Sequence, residues 1–286
     1  MKIFKNILSV LLCIILFLCT IVSCVLLSCS FTLQNTKSLA EKICNESYNT
    51  VMKDNVKSEI ESATMLLSFD SETFVGVVPD SEFEEASLSY TVWLLNRVIN
   101  NRDDEMPTFE SQRLMDAVIE ALENFSVEND MKVDEGSDTE VYEYLCSKIT
   151  DAMISVNDAY INKIDLTRIV KLTSFWYAPT AVCVILIVLI FLLGLKNKPM
   201  TFIKITSSVW FGSFTVHILS AMLVIKNYIS NMVLSASLLR EFLINIYKAF
   251  FGNWTAISGI TATLALIGFI VSVIFASLPK KSQTEI

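Results

Sequence analysis

Residues 7–30 read ILSVLLCIILFLCTIVSCVLLSCS, 24 positions without a single Asp, Glu, Lys or Arg. A bilayer's hydrocarbon core takes about 20 apolar residues in a helix. In lipid a helix is the one single segment that satisfies all of its own backbone polar groups. The stretch therefore predicts a transmembrane helix. The same test predicts three more, at about Thr173–Leu195, at Ile205–Ile225 and at about Ala256–Leu278. A mean hydropathy of +0.53, with 53% hydrophobic and 18% charged residues, is too apolar for an ordinary soluble domain.

The 141 residues between the first two spans, 31–171, have a different character. They hold 12 Lys+Arg and 28 Asp+Glu, a net of −16, whereas the remainder of the chain carries +8. An acidic soluble domain is thus inserted into a basic membrane part, and the overall charge of −8 hides the asymmetry. Short basic loops face the cytoplasm. Lys2 and Lys5 precede span one, Lys196, Lys198 and Lys204 lie between spans two and three, and Lys280 and Lys281 follow span four. All three places fall on one side of a four-span chain. The expected organisation is an all-α plasma-membrane protein with four transmembrane helices and an extracytoplasmic helical bundle between spans one and two. Its boundaries read 1–30 for span one with the N-terminus inside, 31–171 for the acidic outer domain, and 172–195 for span two. Then come a cytoplasmic loop at 196–204, span three at 205–225, an external amphipathic interfacial helix at 226–254, span four at 255–278 and a cytoplasmic tail at 279–286.

Span one has a second reading. Lys2 and Lys5 could be the n-region of a signal peptide, and the residues before Cys24 and Cys29 resemble bacterial lipoprotein cleavage sites. The apolar run continues past Cys24, longer than the 7–15 residues of an ordinary signal core, which favours an uncleaved anchor.

The acidic domain has helical periodicity. Leu39, Ile43, Ser47, Val51, Val56, Ile60 and Leu67 predict one apolar face over 34–67. Phe83, Ala86, Tyr90, Trp93, Leu94 and Val98 predict a second. Phe109, Leu114, Met115, Val118, Ile119, Leu122 and Phe125 predict a third, with Thr108 as its cap. Val141, Leu145, Ile149, Met153, Val156, Tyr160 and Ile164 predict a fourth. Four such stripes bury one another most simply in a helical bundle. The outer two helices are expected to run straight into spans one and two, and Pro179 to kink span two.

Few residues invite chemistry. Cys44 and Cys146, on the first and last of these helices, are a candidate disulfide closing a loop of about 100 residues, worth about 4–5 kcal/mol by chain entropy. The alternative is two half-buried thiols that never meet. His217, the single histidine, falls inside span three, as a candidate intramembrane polar site. The plainer role is a hydrogen bond to a neighbouring helix beside Ser213, Thr215 and Ser220. Asp103–Glu105 and the Asp134, Glu135, Asp138, Glu140 cluster lack EF-hand spacing and read as solvated surface. Small residues Ser208, Gly212 and Ser220, and Gly268, Ser272 and Ala276, mark packing faces of spans three and four. Asn45, Asn124 and Asn253 begin N-glycosylation triplets. No zinc pattern, phosphate loop or catalytic triad is present, so no catalytic residue and no cofactor is expected. The acidic domain disfavours nucleic acid. The expected partners are the lipid bilayer and a protein bound through the acidic domain.

VVPDSEFEEASLSYTVWLLNRVINNRD (77–103) and VYEYLCSKITDAMISVNDAYINKI (141–164), followed by three spans, resemble a group of uncharacterised four-span membrane proteins of Gram-positive, clostridial-type bacteria. The layout is also similar to the sensing domain of bacterial chemoreceptors and to FtsX-type permeases. The function expected is a non-enzymatic membrane protein whose outer domain binds a partner or senses a condition; the alternative is a membrane subunit of a permease-like transport complex.

Overall fold

The computed structural model describes residues 2–66, 74, 76–129, 136–154, 166–226 and 236–277. It is about 90% helical, with no strand among the described residues. In chain order the helices are α1 (Lys2–Gln34), α2 (Thr36–Ile43), α3 (Glu46–Leu66), α4 (Asp80–Asn100), α5 (Gln112–Asn129), α6 (Ser137–Met153), α7 (Leu166–Ser174), α8 (Tyr177–Leu193), α9 (Lys198–Lys226) and α10 (Ser237–Ser277). Four stretches are long and apolar enough to cross a membrane: Ile3–Gln34, Val170–Leu193, Lys198–Lys226 and Ser237–Ser277. The chain divides into two units. An apolar unit takes Met1–Gln34, Arg168–Tyr228 and Tyr247–Ile286, and an acidic unit takes Asn35–Thr167 and Ile229–Ile246.

In the apolar unit α1 lies against α8 and α9. Leu16 of α1, Leu186 and Ile190 of α8 and Ile205 of α9 form its buried centre. Outward residues such as Ile14, Val184 and Leu264 are more than half exposed, as lipid-facing side chains are. The pairings fix the helix directions. Ser9 meets Lys204, and Phe17 and Thr20 meet Gly212, so α1 and α9 are parallel. Ser23 meets Cys183 while Leu16 packs with Leu186 and Ile190, so α8 runs the other way. Thr255 meets Ser220 and Gly268 meets Thr206, so α10 is antiparallel to α9. The starts of α1 and α9 and the ends of α8 and α10 therefore share one end of the unit. Lys5, Lys198 and Lys204 all lie toward it.

Two turns at that end have plain causes. Gly194 caps α8, and Thr201 donates its hydroxyl to the carbonyls of Gly194 (3.1 Å) and Asn197 (3.0 Å). A side chain at Gly194 would occupy the space of that threonine. Pro199 sits in the first turn of α9, where no intrahelical donor is needed. Pro179 is likewise in the first turn of α8, and it offers no N–H to the Phe175 carbonyl four residues back, so the stretch Val170–Leu193 is interrupted as expected of a proline. The break falls just before, at Phe175–Trp176.

The acidic unit buries Leu39 and Ile43 of α2, Tyr48, Met52, Val56 and Ile60 of α3, Leu94 of α4, Leu114 and Val118 of α5, and Leu145 and Ile149 of α6. Contacts join α2 to α4, α3 to α4 and α6, and α5 to α6. The first ten residues of α10 belong here too, with Leu238 and Phe242 buried. Asn245 donates to the Ile43 carbonyl at 2.9 Å, and Ser47 donates to Glu241 at 2.9 Å.

The structure departs from the periodicity in three places. The helix expected over 34–67 is broken twice. Asn35 caps α2 by accepting from the Ser38 amide, and Asn45 accepts from the Tyr48 amide at the start of α3. The second break advances the buried face by about one residue, so Tyr48 and Met52 are buried while Ser47 is exposed. The third stripe begins at Ser111, whose hydroxyl faces the Leu114 amide, rather than at Thr108. Finally, α10 runs unbroken for 41 residues across the boundary drawn at 254/255, because the stretch holds no proline. Leu67, Val156, Tyr160, Ile164, Asp134 and Glu135 lie outside the described residues.

Candidate functional site

The acidic unit's most built feature is the non-helical strap 101–111 between α4 and α5. Asn101, in the left-handed region at φ 53°, turns the chain out of α4. Trp93 of α4 then donates its indole N–H to the Asp104 carbonyl at 2.8 Å. The Phe109 ring stacks on Phe83 at 5.4 Å, and the Phe109 amide donates to the Thr150 hydroxyl at 3.0 Å. That hydroxyl in turn donates to the Cys146 carbonyl at 2.8 Å. The Ser111 amide donates to the Tyr142 hydroxyl at 3.0 Å. Bonds from α4 and α6 thus hold a strap that secondary structure does not.

Two clefts open along the strap, and Tyr90 lines both. One, of about 270 Å³, has Glu82, Glu85 and Glu110 around Tyr90, Phe109 and Met153. The other, of about 500 Å³, has Asp103, Asp104 and Glu105 facing Trp93, Arg97 and Ile154. The Arg97 guanidinium lies 5.3 Å from the centre of the Trp93 ring. Carboxylates ringing aromatic faces suit a cationic group, which gains both from charge and from the ring quadrupole. Arg97 already uses one of those faces in this way.

Cys44 and Cys146 are both free thiols. Cys44 faces α4, with Thr91 Oγ1 at 3.3 Å and Ser87 Oγ at 4.0 Å. Cys146 lies on α6 near Tyr142, at the end of the strap. Burial is the main cause that pushes both thiols up; hydrogen bonding of Cys44 with Thr91 and Ser87, and of Cys146 with Tyr142, opposes it. Across the α3–α4 contact, Lys53 bridges Asp80 (3.0 Å) and Glu84 (2.8 Å). The hydrogen bond to Glu84 is the largest cause holding its ammonium above the usual range.

In the apolar unit His217 meets α10. Its Nδ1 lies 2.9 Å from the Thr255 carbonyl oxygen, which can only accept, so Nδ1 carries the proton. The imidazole packs closely on Gly259, where an added Cβ would stand 3.1 Å from the ring. Around it runs a layer of neutral bonds: Thr255 to Ser220 (3.0 Å), Tyr247 to the Leu223 carbonyl (2.9 Å), Asn253 to Thr32 (2.8 Å) and Trp254 to the Cys29 sulfur (3.2 Å). Periodicity hinted at none of the last three, since each joins residues more than 20 apart. Asn253, whose amide is used inside this layer, is no surface acceptor for a glycan, whereas Asn124 is exposed on α5. Of the small residues, Gly212 meets α1 and Gly268 meets α9. Among the described residues no three His, Cys, Asp or Glu side chains gather as a metal site.

No family model, no curated protein and no solved structure matches the chain.

Proposed function

We propose that this is a non-enzymatic, multi-pass plasma-membrane protein whose acidic helical unit stands outside the cytoplasm and binds a partner there. The strapped clefts beside Tyr90 carry this reading: their carboxylates, aromatic rings and single guanidinium are recognition chemistry. A basic segment of a partner protein is the occupant they suit. The sidedness rests on charge. The lysine-bearing ends of α1, α8 and α9 lie together, and lysine-rich ends stay in the cytoplasm. The acidic unit follows the far end of α1.

Purification from native membranes in mild detergent, with mass spectrometry of what stays bound, tests the binding. A protein retained by the wild type and lost on replacing Asp103, Asp104 and Glu105 with Lys supports the proposal. Retention of the same proteins by both forms contradicts it. A stoichiometric ATPase retained by both forms would favour a permease-like complex instead.

A further inference from the structure

The apolar unit has a groove of about 480 Å³ on its outer surface, along the seam of α1 and α9. Val10, Ile14 and Phe17 form one wall, Ser208 and Phe211 the other. Gly212 brings the α9 backbone close to α1 here; a Cβ at that position would stand 2.9 Å from the Phe17 carbonyl oxygen. The groove is therefore a shallow channel floored by helix, and its walls open outward: Val10, Ile14 and Phe211 are each more than half exposed. At one end sits Lys204, half-buried, with its ammonium 3.4 Å from the Ser9 hydroxyl.

That hydroxyl is neutral. The sequence has no Asp or Glu in 1–40, 166–240 or 242–284, so no described residue of the apolar unit can pair the charge. Lys204 lies six residues into α9, about 9 Å from its first residue at 1.5 Å per residue. It therefore sits near the unit's basic end, at a depth from which a lysine reaches the interface along its own stem. An apolar channel ending in an ammonium that no described carboxylate pairs, at that depth, has the shape and charge order of one lipid: acyl chain along the groove, phosphate at the lysine.

We propose that this groove is a binding site for an anionic phospholipid of the leaflet at the α1 and α9 starts. Val10, Ile14, Phe17 and Phe211 hold an acyl chain, and Lys204, with Ser9, holds the phosphate.

Native mass spectrometry of the full-length protein, given equal amounts of palmitoyl-oleoyl phosphatidylglycerol and phosphatidylcholine, tests it. The wild type should retain phosphatidylglycerol over phosphatidylcholine by about fivefold, the ratio for one lysine near an anionic surface. Lys204→Gln should bring the two close to parity, and Val10→Trp should remove the retained lipid. Lys198→Gln, outside the groove, should keep the preference. Each variant is first required to elute as the wild type does on size exclusion. Parity in the wild type would overturn the proposal. So would a preference that survives both Lys204→Gln and Val10→Trp, or one lost equally with Lys198→Gln.

Discussion

At the scale of single residues, the sharpest feature is the proton His217 donates across to α10. Hydrogen bonds between membrane helices contribute about 0.6 kcal/mol on average and about 1–2 kcal/mol in model peptides. His217→Leu removes the donor and should lower unfolding stability in detergent by about 1 kcal/mol. His217→Asn, whose amide N–H occupies nearly the place of Nδ1–H, should recover most of the loss. Four titratable groups of the acidic unit give a pH dependence. The Cys44 and Cys146 thiols are pushed up mainly by burial, as is the Tyr142 phenol, and the Lys53 ammonium is raised first by its bond to Glu84. A group whose folded value lies above its unfolded one contributes stability below the unfolded value and loses it as pH climbs through the folded value. All four shifts have that sign. The unit should therefore hold its melting temperature through neutrality and lose it from about pH 8.5 upward, where free thiols begin to ionise. Cys44→Ser should make the fall shallower.

At the scale of elements, Gly212 decides how closely α9 approaches α1. A methyl group there would press on the Phe17 carbonyl and on Thr20 at 3.0 Å, and backbone cannot swing aside as a side-chain tip can. Gly212→Ala should cost about 1–3 kcal/mol of stability, the range for overpacking. Gly252→Ala, with nothing within 4 Å, should be neutral or slightly stabilising through helix propensity. These elements were unequally legible in the sequence. The four apolar helices could be read directly, because a charge-free run of 20 or more residues has few other fates. The break at Cys44–Asn45 could not. The stripe before it and the stripe after it are both helical, and only the cap that Asn45 gives the Tyr48 amide reveals the change of phase. Phe109 looked like a helical stripe residue, yet it stacks on Phe83 and bonds to Thr150 from outside any helix. The clefts beside Tyr90 arise from that strap, so they were invisible to any pattern confined to one segment. Cys44 and Cys146 lie on the helices expected, but helix assignment fixes neither the direction of a thiol nor its distance from another.

For the whole molecule, composition and charge set most of the account. α10, 41 residues long, measures about 60 Å at 1.5 Å per residue, twice a hydrocarbon core of about 30 Å. Its first ten residues are thus free to serve the acidic unit, as the bond Asn245 donates and the one Glu241 accepts show. Partner binding through Asp103, Asp104 and Glu105 should weaken as salt rises from about 0.05 to 0.5 M, since exposed charges are screened, while the retention of a lipid chain along α1 should change little. Partner binding outside the cytoplasm depends on which side of the membrane the acidic unit occupies, and labelling of single cysteines tests that. In a chain whose native cysteines are replaced by serine, Asn124→Cys on the exposed face of α5 and Lys198→Cys at the start of α9 are each offered a membrane-impermeant maleimide. Asn124→Cys should react in intact cells and Lys198→Cys only after lysis; the reverse pattern, or protection of Asn124→Cys until lysis, would contradict an acidic unit outside the cytoplasm.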